Sequence, residues 1–240
     1  MSALIGLPPP ADPTATERDR DTTAARSPSA TPSQPVSDVT LIGRVVTDEV
    51  VARRAPRTSA PAVASFGPVN AQGAPQVFLL EEPLGPADRP AWYEALLPVR
   101  PNGTKGFIPA DALEVSTTRY RIRVDRDDFT LTLLRDGHVV EEYDVGIGKG
   151  STPTPVGDYY LTSLLRPPTE GSIYGKYAYG LSGYSDALPD WEGGGVIGLH
   201  GTNDPSSVGR AVSHGCIRMR NRDIQQLVPL LPLGTPIEIK

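Results

Sequence analysis

Cysteine is nearly absent from this chain of 240 residues, which holds one, Cys216. That excludes an internal disulfide, and with it the small disulfide-stapled folds. Runs of basic residues are also lacking: no stretch of Lys or Arg is longer than two, and the net charge is -5 at pH 7. Neither a nucleic-acid-binding stripe nor a polybasic membrane patch can be made from that distribution, so nucleic acid is not an expected partner. Long apolar runs are missing too. The N-terminal MSALIGLPPPADP meets a proline cluster after a handful of apolar or small residues. That is too few for the apolar core of an export signal or for a membrane span.

What is present changes character twice along the chain. Residues 1–38 are dominated by Pro, Ser, Thr, Ala and mixed charge, ending in SPSATPSQPVS. Such a segment buries too little apolar surface to offset its ordering entropy and reads as a disordered tether. Residues 39–116 carry short β-type runs, VTLIGRVVT, PQVFLLEE, WYEALLPV and GFIPADALEV, punctuated by Pro and Gly. That pattern predicts a small barrel or sandwich, with Asn102-Gly103 marking a tight hairpin because Asn-Gly supplies positive φ angles. It resembles the bacterial small β-barrels similar to Src-homology modules that accompany cell-wall enzymes. Residues 117–240 open on alternating polar and apolar runs, YRIRVDRDDFTLTLLRDGHVVEEYDVGIG, with a hairpin at Asp136-Gly137. Strict alternation implies strands with one wet and one dry face. In the same region NRDIQQLVPLL predicts the single helix, with Asn221 as its N-cap and Ile224, Leu227 and Val228 on one face. The fold class expected is mainly β, with one helix packed on the second domain.

Cys216 lies in AVSHGCIRM, two residues after His214, while His200 ends the apolar run GVIGLH. The third histidine, His138, follows the Asp136-Gly137 turn and reads as exposed. Three roles are open to the thiol. Free cysteine is often buried as a small hydrophobe, although Gly215, Ser213, His214 and Arg218 make a poor core strand around it. Zinc accepts nitrogen and sulfur ligands, but His-x-Cys is tighter than usual ligand gaps and no second cysteine exists. The third role is a nucleophile. An ordinary thiol, with a pKa of about 8.5, is mostly protonated at neutral pH and needs an imidazole to take its proton. A strand end can hold His200, and Gly215 lets the backbone approach closely enough for the N–H groups of Gly215 and Cys216 to face an oxyanion.

HGT followed by SHGCIRM resembles the signature of bacterial L,D-transpeptidases, and GKGSTPTPVGDYYL is similar to their Thr-Pro-x-Gly segment. The resemblance covers roughly half the chain, from Tyr120 to Lys240. It implies that Cys216 is the nucleophile and His200 the base, with the Gly201 carbonyl orienting the imidazole. His214 then lines the site and helps place the sulfur. Arg218, where the general signature also allows Asn, braces the turn or meets a substrate carboxylate. Gly215, Ser213, Tyr184 and Tyr179 complete the expected oxyanion and substrate contacts, and YGKYAYGLSGYSDALPDWEGG is the expected mobile lid. By the same resemblance the substrates are peptidoglycan stem peptides, as acyl donor and acceptor. Carbapenems are inhibitors, and neither a metal nor an organic cofactor is needed. The enzyme is extracytoplasmic, in the periplasm or cell wall, and touches the membrane only through an N-terminal anchor no longer present. A stem-peptide hydrolase on the same fold, a non-catalytic wall-binding protein and a zinc enzyme are the rival readings.

Overall fold

The structure is a computed structural model that describes residues 39–86, 88–190 and 194–240. The expected tether, 1–38, lies outside the described residues, as do residues 191–193 of the expected lid. Two sheets and one small ribbon make up a mainly β body.

The first sheet is built from β1 (Thr40–Val45), β2 (Val50–Arg53), β3 (Ala62–Phe66), β4 (Val77–Leu84), β5 (Trp92–Leu96), β6 (Lys105–Pro109) and β7 (Leu113–Thr118), in the order β3-β2-β6-β5-β4-β1-β7. Every neighbouring pair in it is antiparallel. Alternation in β5, with Tyr93 and Ala95 buried and Trp92 and Glu94 less so, delivers one face to a core of Val45, Phe78, Leu80, Leu97 and Ile108. The β5–β6 connection is longer than a tight Asn-Gly hairpin. The Thr104 N–H donates to the Pro101 carbonyl at 3.2 Å and only Gly103 takes a positive φ, 80°. Asn102 is instead engaged outside its own sheet.

The second sheet contains β8 (Tyr120–Asp125), β9 (Thr130–Arg135) and β10 (His138–Asp144), then, beyond the short β11 (Ile147–Gly148), β12 (Gly157–Leu165), β13 (Ala178–Tyr184) and β14 (Val196–His200). After β15 (Ala211–Ser213) come β16 (Ile217–Arg218), the helix α1 (Asn221–Leu227) and β17 (Pro236–Ile239). The order is β10-β9-β8-β17-β12-β13-β14-β16, while β11 and β15 form a separate parallel ribbon. Asp136 and Gly137, with φ of 50° and 73°, make the expected turn between β9 and β10, and His138 just after it is exposed. Ile224 and Leu227 of α1 are fully buried against Leu131, Leu161, Leu199 and Ile217. The N-cap of α1 is Arg220, without a side-chain hydrogen bond, so Asn221 is its first helical residue rather than its cap.

The sheets belong to one compact body. Tyr160 of β12 is fully buried among Ile42, Val77 and Leu96 of the first sheet and donates from its hydroxyl to the Val77 carbonyl at 3.2 Å. Asn102 donates to the Tyr184 carbonyl at 2.8 Å and accepts from the Tyr184 N–H at 2.9 Å.

Candidate active site

Strands β14 and β16 run parallel at the end of the second sheet, with Leu199 opposite Ile217 and His200 opposite Arg218. Leu199, Ile217 and Met219 are fully buried in the core. Because side chains alternate along a strand, the residues between them, Gly198, His200, Cys216 and Arg218, share the other face. The Gly198 N–H donates to the Cys216 Sγ at 3.4 Å. A methyl group on Gly198 would lie 3.4 Å from the His200 Cδ2 and 3.6 Å from Sγ. Thiol and imidazole therefore flank one glycine.

His200 is buried, and its Nδ1 lies 2.5 Å from the Gly201 carbonyl oxygen. A carbonyl only accepts, so Nδ1 carries the ring proton and Nε2 is left as a lone pair. Cδ2 is bonded to Nε2, so the edge of the ring that approaches Gly198 is its basic edge. Tyr174 packs edge-on over the ring, with centroids 5.1 Å apart at 74°. Burial lowers the imidazole pKa to about 4; the Gly201 carbonyl opposes that shift and the Arg218 charge adds to it. Burial also raises the Cys216 thiol, while the Gly198 N–H and Arg218 pull it down. At neutral pH the pair rests uncharged, a thiol beside a free base. Such a pair suits proton removal during attack on a carbonyl rather than a standing ion pair.

The turn that presents the sulfur is held by hydroxyl groups. Gly215 has a φ of 116°, and a Cβ there would meet the Ile197 Cδ1 at 3.0 Å. Ser213 Oγ accepts from the Gly215 N–H at 3.1 Å and donates to the Cys216 carbonyl at 2.6 Å. Thr154, fully buried, donates from Oγ1 to the Gly215 carbonyl at 2.8 Å and accepts from the Gly148 N–H at 2.9 Å. Thr152 donates to the Ser213 carbonyl at 3.2 Å.

The family model for the YkuD L,D-transpeptidase catalytic domain matches residues 119–239. The chain belongs to the L,D-transpeptidase family. It is 35% identical over 160 residues to YkuD of Bacillus licheniformis, spanning 64% of this chain and 89% of that protein. With YkuD of Bacillus subtilis it shares 34% over 151 residues, spanning 60% and 84%. Both relatives carry a provisional L,D-transpeptidase name. Among solved structures, Bd1075 of Bdellovibrio bacteriovorus is 30% identical with a TM-score of 0.43, over 51% of this chain and 48% of that one.

Several expected contacts of this L,D-transpeptidase domain fall elsewhere. Tyr179 is 1% exposed and donates to the Leu231 carbonyl at 3.3 Å, so it is a core residue and cannot reach a substrate. Tyr184 sits at the far end of β13 from Ala178, which is the residue paired with His200. Its hydroxyl donates to the Pro98 carbonyl at 2.7 Å and Arg100 stacks over its ring, so it joins the two sheets. Ser213, 1% exposed, holds the turn instead of touching substrate, and the Gly215 N–H is taken by it rather than turned to an oxyanion. The expected lid contains β13, a central strand, because its small residues let β12 and β14 close on it. His214 is exposed beside the turn.

Other residues that shape the site were not expected. Thr152 and Thr154 stood in the recognised Thr-Pro segment, but nothing local links them to Cys216. Asn221 accepts from the Lys176 N–H at 2.9 Å and donates to the Thr202 carbonyl at 2.9 Å. It thereby ties the loop bearing Tyr174 to the chain leaving His200. Gly201 and Gly175 make room for it, since a Cβ on either would lie 2.2 or 2.1 Å from Asn221 Oδ1. Among the described residues, no three His, Cys, Asp or Glu side chains converge as metal ligands would.

Proposed function

We propose that the protein is a peptidoglycan L,D-transpeptidase that works through a thioester on Cys216. The observation that carries this reading is the pair of groups flanking Gly198, a thiol on one side and on the other an imidazole whose Nδ1 proton is pinned by Gly201. Sγ attacks the carbonyl of the third residue of a stem peptide, and the thiol proton passes to Nε2 of His200. The C–S bond forms as the C–N bond breaks, and His200 returns the proton to the amine of the departing D-alanine. The side-chain amine of a second stem then attacks the thioester. A new C–N bond forms, the sulfur leaves, and the amine proton returns through His200 to Sγ, giving a 3→3 cross-link. Carbapenems acylate the same sulfur.

The substrate lies outside the cytoplasmic membrane, which puts the enzyme in the periplasm or wall. Among the described residues no helix is long and apolar enough to cross a membrane. The first sheet, 39–116, serves as the module that holds the catalytic domain, 117–240, at the wall.

The test is mass spectrometry of the products from a disaccharide-tetrapeptide. Dimers that have lost D-alanine support transpeptidation; tripeptide monomers transfer the reading to a hydrolase. Cys216→Ala abolishes product while the thermal melt stays cooperative, and retained turnover would place the nucleophile elsewhere.

A further inference from the structure

The peptide unit between Gly201 and Thr202 decides where the His200 proton sits. Its carbonyl accepts from Nδ1 at 2.5 Å, which leaves Nε2 with a lone pair. Turned over, the same unit would bring the Thr202 N–H to Nδ1 instead. An N–H only donates, so Nδ1 would have to accept, the proton would move to Nε2, and the ring edge that approaches Gly198 would lose its basicity. Little in the chain itself opposes that turn, because Gly201 has no side chain and glycine rotates freely about its backbone bonds. The orientation has to be fixed from outside.

Asn221, on the helix that follows β16, is the side chain placed to do it. A Cβ on Gly201 would lie 2.2 Å from Asn221 Oδ1, and one on Gly175 would lie 2.5 Å from both the Gly201 carbonyl carbon and the Thr202 nitrogen. The unit is thus packed against the Asn221 amide and the Gly175 backbone at once. The amide is itself locked at both ends: Oδ1 accepts from the Lys176 N–H and Nδ2 donates to the Thr202 carbonyl, each at 2.9 Å. The opposite placement of oxygen and nitrogen would set donor against donor and acceptor against acceptor. On the other flank the Gly201 N–H donates to the Tyr177 carbonyl at 3.0 Å. The peptides before and after the Gly201–Thr202 unit are therefore both pinned, the second by Asn221, and Thr202 is buried.

We propose that Asn221 is a positioning residue for the base: by holding the Gly201–Thr202 peptide it fixes the ring proton of His200 on Nδ1. Its effect on catalysis rests on the acyl-transfer reading above, whereas the place of the proton is a property of the resting protein. Asn221 touches neither the sulfur nor the imidazole and acts through the Gly201 carbonyl.

The experiment reads the tautomer and the rate on the same samples. Long-range proton–nitrogen NMR of protein labelled with nitrogen-15 at its three histidines shows which ring nitrogen is protonated, and His200→Gln assigns the signals. At pH 7 the His200 ring is uncharged, its pKa lying at about 4, so one nitrogen carries a proton and the other does not. The unaltered protein shows the proton on Nδ1. Asn221→Ala shifts it wholly or partly to Nε2, and so does Asn221→Asp, which keeps the acceptor for the Lys176 N–H but turns a second oxygen to the Thr202 carbonyl. In both variants the maximal rate of Cys216 acylation by a tetrapeptide donor falls by about 100-fold, the scale of a positioned base, while the donor concentration at half-maximal rate stays within about twofold. A proton that stays on Nδ1 in both variants would overturn the assignment, even where acylation slows, since Asn221 is then only structural. A proton on Nε2 in the unaltered protein, or loss of cooperative melting in both variants, would overturn it as well. A proton that moves to Nε2 without a change in rate upholds the role of Asn221 and removes His200 as the base. If the donor does not acylate the unaltered protein, the acyl-transfer reading fails while the NMR signals still decide this one.

Discussion

Gly198 stands between the Cys216 thiol and the His200 imidazole, donating its N–H to Sγ at 3.4 Å, and a Cβ there would lie 3.4 Å from the His200 Cδ2. The position is one where a side chain is excluded by chemistry more than by space. Strand β14 pairs with β13 on one side and β16 on the other, so the separation of sulfur and ring is set by the pitch of the sheet. No flexible loop is needed to bring them together.

Substituting alanine at Gly198 tests that arrangement. The added methyl lies at ordinary contact distance from both neighbours, 3.4 and 3.6 Å, and the strand backbone accepts any residue. Stability should change by no more than about 1 kcal/mol, as for other tolerated small changes. Acylation should fall by about 100-fold, because a methyl between the groups fills the gap across which thiol and imidazole must close on each other to pass the proton. The two numbers come from a urea titration and a single-turnover acylation assay on the same sample. Unimpaired acylation would mean that the approach of base to sulfur does not run past Gly198.

The buried imidazole makes two pH predictions of known sign. His200 titrates at about 4 in the folded protein, below its ordinary 6.5. The acidic limb of kcat/KM should therefore fall near pH 4 to 5, and not near 6.5. Stability moves with the same linkage. Between pH 6.5 and about 4 the unfolded chain binds a proton that the folded one refuses, so stability is full above 6.5 and declines as pH falls through this window. The decline from this one group is of the order of 3 kcal/mol. Urea midpoints measured at steps from pH 7 to pH 4 should show it, and His200→Gln should remove that part of the slope. An acidic limb at 6.5 would show that the ring is solvated in the working enzyme.

What could be read from the sequence was whatever neighbours decide. Alternation in β8 and β9, the Asp136-Gly137 turn and the mainly β class all arise from contacts a few residues long. The signature around Cys216 is local in the same way. Thr152 and Thr154 were not readable, because their partners lie 61 residues away and reach them only once β11 has paired with β15. Asn221 looked like a cap since it precedes an apolar face, yet tertiary partners 45 and 19 residues upstream compete for its amide and win. Tyr179 and Tyr184 were misplaced for a related reason. A Gly-, Tyr- and Ser-rich run has the composition of a loop, and only the strands on either side of β13 reveal it as a sheet interior.

Thr154 is the residue on which the turn most visibly depends. Its single hydroxyl joins the Gly148 N–H to the Gly215 carbonyl, all of it out of reach of water. Thr154→Val keeps the shape and leaves one buried donor and one buried acceptor unmatched, at about 1–3 kcal/mol for each group. Stability should drop by about 2–6 kcal/mol for the two groups together, and acylation of Cys216 should slow more than binding of the donor weakens, since the released carbonyl is that of the residue before the sulfur. Thr154→Ser, which retains the hydroxyl and loses a methyl, should recover most of the acylation rate while remaining somewhat less stable. A rate that follows stability across both variants would make Thr154 a structural residue only. Recovery of rate by serine without full recovery of stability separates the positioning of the sulfur from the holding of the fold.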